Sequence, residues 1–327
     1  MARVVLLIAI LAALTAPAAD TKQEARAHLA RGAAHLQRNE REEAVSELKK
    51  AVALDARSAA AHMLLGQAYL AQGSLEMIAE AKAELQQALD LDPDAAWARF
   101  YLAKIYLDLG RAEKAKAELE RGLLTKPQVP HFLSLLGEVN RRLGSPDSSI
   151  QLNRRALDLD PAMNAAHYYL ALAYLDLKRD DEASRELERA LESKYIIPEM
   201  YTTLGSICTR EGKLEKAGEL FRKAIALDPS RPEGHVKLAE VYRLQRAYDR
   251  ALAELKLAAP EGKRFPGTEY FQQLQADISF EKGRIYQAQR LPVDAVKAYS
   301  QALEIDPNHE KARRGLEAMK KSTNERE

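Results

Sequence analysis

The sequence predicts an all-α solenoid of stacked helical hairpins, and three observations carry that prediction. The first is a repeat: Leu136-Gly137, Leu170-Ala171, Leu204-Gly205 and Leu238-Ala239 follow one another at a spacing of 34 residues, with Leu65-Gly66 earlier in the series. The second is a further pattern in register with it, Ala-x3-(Leu/Phe/Tyr)-x2-(Ala/Gly)-x4-Pro, as in Ala115, Leu119, Gly122 and Pro127 and again in Ala217, Phe221, Ala224 and Pro229. The third is periodicity: within each half-repeat apolar and small residues fall at i, i+3, i+4 and i+7, the spacing of one helix face, as Leu65, Ala68 and Tyr69 show. A unit of this kind cannot bury its apolar face alone, so neighbouring units must stack.

The elements follow in order. Met1-Ala2-Arg3, an apolar run from Val4 to Thr15 and Ala16-Pro17-Ala18 before the polar Asp20-Thr21-Lys22 have the order of a cleavable secretory signal over residues 1–18. The apolar run falls short of the roughly 20 residues that span a bilayer. An uncleaved N-terminal anchor is the alternative. After a linker at 19–24 come eight repeats, at 25–58, 59–95, 96–129, 130–163, 164–197, 198–231, 232–265 and 276–309. Each first helix is expected to end on a left-handed residue, which is Gly73, Gly110, Gly144 or Gly212 in four repeats, a residue with no Cβ penalty there. Asn39 is tolerable at that place, whereas Lys178, Arg246 and Arg290 should cost something locally. The second helix ends at a recurring Leu/Ile-Asp-Pro, as in Leu91-Asp92-Pro93 and Leu227-Asp228-Pro229, because proline cannot continue a helix.

Two insertions interrupt the period. Three extra residues fall in Gly73 to Ala81, nearly one helical turn. Ten more fall at 260–275, where Glu261 to Gly267 reads as a loop and Thr268 to Gln289 as one long first helix of the last repeat. A capping helix is expected at 310–321, with Ala312, Leu316 and Met319 on one face, and a disordered tail at 322–327.

These features resemble the tetratricopeptide repeat over about residues 25–309. The resemblance implies a right-handed superhelix that binds a protein or peptide in its concave groove, and no reaction. In the family, positions 2, 5, 9, 12 and 13 of the first helix face the groove, which here implicates Trp97, Phe100, Lys104 and Asp108, then His131, Ser134 and Glu138, then Tyr168 and Leu172, then Thr202 and Ser206. Trp97, Phe100 and Tyr168 form the expected aromatic wall and Lys104, His131 and Glu138 its polar contacts, since rigid aromatics carry much of the energy at interfaces. The opposing reading is that Trp97 and Tyr168 are ordinary packing. A subset of the family grips a chaperone's terminal carboxylate, but Leu29, Ala33, Trp97 and Tyr101 stand at the comparable places, so that clamp is not expected.

Composition limits the alternatives. Lys plus Arg is 49 and Asp plus Glu is 48, which leaves no net field to recruit nucleic acid. One cysteine, Cys208, excludes an internal disulfide, and its repeat position predicts a buried, inert thiol. His28, His62, His167 and His235 share the fourth position of their repeats. One such residue per hairpin puts neighbours about 8–10 Å apart, too far for a shared zinc, so a packing role is expected and no metal or cofactor. No phosphate loop, nucleophile elbow or zinc-protease motif is present. The expectation is an exported, non-enzymatic scaffold or adaptor, periplasmic or secreted. The alternative is a recruiting or regulatory subunit of an enzyme complex, such as a glycosyltransferase or an envelope assembly machine.

Overall fold

The computed structural model describes residues 2–73, 75–259 and 269–324, and among them the chain is entirely helices and turns. It divides into two compact units, Met1–Leu177 and Lys178–Glu327. The first holds α1 (Ala2–Gln37), α2 (Arg41–Leu54), α3 (Ala59–Gln72), α4 (Leu75–Leu91), α5 (Ala96–Asp108), α6 (Ala112–Thr125), α7 (Pro130–Arg142), α8 (Pro146–Leu159) and α9 (Asn164–Asp176). The second holds α10 (Asp180–Ala190), α11 (Pro198–Arg210), α12 (Leu214–Leu227), α13 (Pro232–Leu244), α14 (Tyr248–Ala258), α15 (Glu269–Ala288), α16 (Pro292–Ile305) and α17 (Glu310–Asn324). The fold class is an all-α helical-repeat solenoid. The starts of repeats two to seven coincide with the first residues of α3, α5, α7, α9, α11 and α13.

The turn inside each hairpin has one cause. Among the described residues, positive φ occurs at Asn39, Gly73, Gly110, Gly144, Lys178, Gly212, Arg246 and Arg290, one in every repeat and always where the first helix ends. The turn between repeats has another. Asp55, Asp92, Asp160, Asp228 and Asp306 each accept a hydrogen bond from the backbone N–H two residues on, at 2.9–3.2 Å. This Asx turn holds the chain in a tight bend before the next helix.

Helix pairs close on a small residue facing a large one. A Cβ on Gly32, Gly66, Gly205 or Gly283 would lie 2.5–2.7 Å from Leu48, Leu85, Phe221 or Tyr299 of the second helix of the same hairpin. All four of those partners are essentially inaccessible to solvent. In each unit taken separately, successive first helices also touch: α1, α3, α5, α7 and α9 in the first, and α11, α13, α15 and α17 in the second. Among the described residues, successive second helices within a unit make no comparable contact. Each unit therefore curves with its first helices on the inner side.

Some expectations change. Residues 19–24 are part of the continuous helix α1 rather than a linker. The three-residue insertion lengthens α4 to 17 residues, against the 14 of α2 or α6. The stretch read as one long helix over Thr268 to Gln289 does form one, the 20-residue α15 (Glu269–Ala288), which begins seven residues ahead of the repeat start at Ala276. The loop expected at Glu261 to Gly267 lies outside the described residues, and α17 continues to Asn324, into the stretch expected to be a tail.

Candidate partner-binding face

The inner side of the first unit carries the predicted site residues on α5, α7 and α9. Trp97 of α5 lies edge-on to Phe100 at 5.4 Å and reaches forward to His131 at 5.8 Å and Phe132 at 5.4 Å, both on α7. Phe100 meets Phe132 at 5.2 Å. Phe132 anchors the group: it is fully buried, and it fits because position 122 is glycine, whose Cβ would stand 2.4 Å from the ring. Trp97 and Phe100 are half-buried against the core that includes Leu119, Leu135 and Val139. His131 and Lys104 are exposed on the same side. Tyr168, one repeat on, is half-buried and packs on Tyr169 at 5.8 Å.

The structure thus brings Trp97, Phe100 and His131 together, with Lys104 one turn along α5. It removes Glu138 from the list of direct contacts, because that residue is only 2% exposed and both its carboxylate oxygens are engaged. Arg141 binds Glu138 in a fork at 2.8 and 3.0 Å and also reaches Asp176 at 2.9 Å. Arg142 binds it at 2.7 Å and donates to the Leu107 carbonyl. Glu138 therefore positions two guanidinium groups that tie α7 to α5 and α9; a groove position in sequence did not reveal its burial. Ser134 is likewise buried, donating to Asn153 at 2.9 Å.

Burial pushes the Tyr101 and Tyr169 phenols up to about 12, the latter aided by nearby Glu138. Burial also raises the Asp108 carboxyl, outweighing the attraction of Lys104 and Arg142. Among the described residues neither Lys104 nor Asp108 makes an ion pair within 4.0 Å, so both charges remain available to a partner.

The inner side of the second unit is built differently. Arg284 of α15 joins Glu281 at 2.7 Å and Glu240 of α13 at 3.2 Å, and Arg243 stands 3.8 Å from Glu281. Burial raises the Glu281 carboxyl and lowers Arg243. Sequence reasoning missed this network, because its four members are spread over two repeats and match no motif.

The other singled-out residues are structural. Cys208 is buried, which pushes its thiol up and away from the reactive thiolate. His28, His62 and His235 each bond a glutamate of the second helix of their own hairpin, at 2.6–2.8 Å. Among the described residues no group of three or more His, Cys, Asp or Glu side chains could hold a metal ion. None of the described helices is long and apolar enough to cross a membrane.

Family models described as "Tetratricopeptide repeat" match residues 74–139, 154–194, 170–232, 209–278 and 276–309, and one described as "TPR repeat" matches 32–73. The chain belongs to the tetratricopeptide-repeat family. It is 25% identical over 191 residues to anaphase-promoting complex subunit 3 of Schizosaccharomyces pombe, covering 58% of this chain and 27% of that protein. It is 28% identical over 138 residues to human interferon-induced protein with tetratricopeptide repeats 2, covering 40% and 29%. The chain thus spans under a third of the length of these relatives.

Among solved structures, the anaphase-promoting complex hetero-tetramer Cut9–Hcn1 superposes with TM-score 0.67 at 16% identity, over 85% of this chain and 52% of that one. Human IFIT1 gives 0.61 at 18%, over 82% and 69%, and Pseudomonas aeruginosa pilF gives 0.55 at 21%, over 68% and 96%. At these identities the likeness shows the fold alone.

Proposed function

We propose that this chain is an exported, non-enzymatic scaffold that binds a protein or peptide partner on the inner face of its first unit. The observation that carries the reading is the α5–α7 wall, where half-buried Trp97 and Phe100 sit beside exposed His131 and an unpaired Lys104. Tetratricopeptide-repeat proteins mediate protein–protein interactions, and the solved relatives named above include a subunit of a multiprotein complex. Export rests on the Arg3, apolar-run and Ala16-Pro17-Ala18 order alone. An intact mass matching a mature chain that starts near Ala19 supports it, and a retained Met1 sinks it.

The wall residues differ in burial, which makes the proposed binding face testable. Trp97 touches four rings, so Trp97→Ala should lower stability by about 3 kcal/mol as well as weaken binding. His131 and Lys104 are exposed. The double variant His131→Ala, Lys104→Ala should therefore weaken partner binding roughly tenfold, near the 1.4 kcal/mol that separates decades of affinity, with the melting temperature unchanged. Unaltered binding by the double variant would remove this face from consideration.

A further inference from the structure

Repeats four and seven carry the same pair of residues in two different arrangements. In repeat four, Arg141 closes its Nε and Nη2 on Glu138, three residues before it on α7, at 2.8 and 3.0 Å. Three periods further on, Arg243 and Glu240 occupy the same two places on α13. There the fork stays open: Arg243 Nη2 stands 4.0 Å from Glu240 Oε1, and its Nε stands 3.8 Å from Glu281 of α15. Both nitrogens are shut off from solvent without a hydrogen-bond partner, and so is Oε2 of Glu281. Arg284 is the cause. It donates to Glu281 at 2.7 Å and to Glu240 at 3.2 Å, where it takes the same Oε1 that faces Arg243.

The charges of this group do not balance. Among the described residues, Lys237, Arg243 and Arg284 lie within 4.0 Å of the carboxylates of Glu240 and Glu281, so one positive charge is in surplus. The Arg243 side chain is 12% exposed, whereas that of Arg284 is 31% exposed and lies over the Phe280 ring. Lys237 approaches Glu240 only to 3.6 Å, so its removal would free neither acceptor. The departure of Arg284 would free both. Pulling one partner out of a buried ion pair is normally costly, and a buried donor without an acceptor is costly as well. Here the first loss repairs the second.

We propose that the inner face of the second unit docks an acidic side chain of a protein partner through Arg284, and that Arg243 then closes on Glu240 and Glu281 as Arg141 closes on Glu138. A guanidinium meets a carboxylate with two parallel hydrogen bonds, which makes arginine the suited receptor. The incoming charge cancels the surplus. One such contact holds a free acid weakly, so the carboxylate arrives with the further contacts of a protein surface. The site shares no residue with the aromatic wall of the first unit.

Titration of the full chain with a dye-labelled hexaglutamate peptide, amidated at its C-terminus, tests the exchange. The Nε–H signals of both Arg284 and Arg243 should shift, although only Arg284 meets the peptide. Arg284→Gln should weaken binding roughly tenfold, and Arg243→Gln by a similar factor, because nothing then replaces Arg284 on the carboxylates. Arg121→Gln, which removes a 65% exposed charge from the second helix of repeat three, should leave binding unchanged. Free glutamate at the same carboxylate concentration should compete weakly. Without peptide, the stability lost in the double variant Arg243→Gln, Arg284→Gln should exceed the sum of the single losses, since both carboxylates are then stranded. The inference is overturned by a peptide that fails to bind or binds Arg284→Gln as tightly as the wild type, by free glutamate competing as well as the peptide, by an Arg243 signal that stays still, or by additive losses.

Discussion

At the turn inside each hairpin a single residue decides the cost of reversing the chain. Gly110 has φ 69°, and a Cβ there would meet nothing within 4 Å, so Gly110→Ala tests the backbone alone and should destabilise by about 1 kcal/mol. Arg246, at φ 62°, sits in the same conformation without glycine's freedom. Arg246→Gly should therefore raise stability by about 0.5–1 kcal/mol, measured by denaturant midpoint at unchanged slope. A loss of stability would mean that its side chain makes a compensating contact. The left-handed residues were legible because glycine recurs at one place in the period. Glu138 was not, because a position facing the groove in sequence says nothing about two arginines folding over it. The histidines were half legible: spacing excludes a shared metal, but their glutamate partners lie on the second helix, about 20 residues downstream.

At the scale of the hairpin, the fit between its helices is a size match. Gly205 faces Phe221, and Gly283 faces Tyr299. Repeats three and seven carry Ala103 and Ala239 at the equivalent place and use a leucine across the hairpin, Leu119 and Leu255, within the same cores. Gly205→Ala puts a Cβ 2.7 Å from the Phe221 ring and should cost about 1–3 kcal/mol, less whatever alanine gains as a helix former. Combined with Phe221→Leu, which recreates the pairing of the alanine repeats, the double variant should lose less than the sum of the two single losses. Additive losses in a double-mutant cycle would refute the size match. The Leu-Gly pattern announced this contact without naming its partner. The insertions could be counted from sequence, but whether the three extra residues form a loop or lengthen α4 depends on packing that the count does not contain.

At the scale of the molecule, the repeats divide into two units whose inner faces differ in chemistry. The first presents rings, free Lys104 and raised Asp108, and the second presents the Glu240–Arg284–Glu281 network. The repeat period made the architecture readable. It left the two faces indistinguishable, since every repeat supplies the same positions. The partner-binding claim is tested most directly by a photo-crosslinking amino acid placed in the source cell at His131, exposed on the inner face, and separately at Leu124, which is 85% exposed on the second helix of its hairpin. The account predicts a discrete crosslinked product from His131 and none from Leu124, whereas crosslinking from Leu124 alone would contradict it.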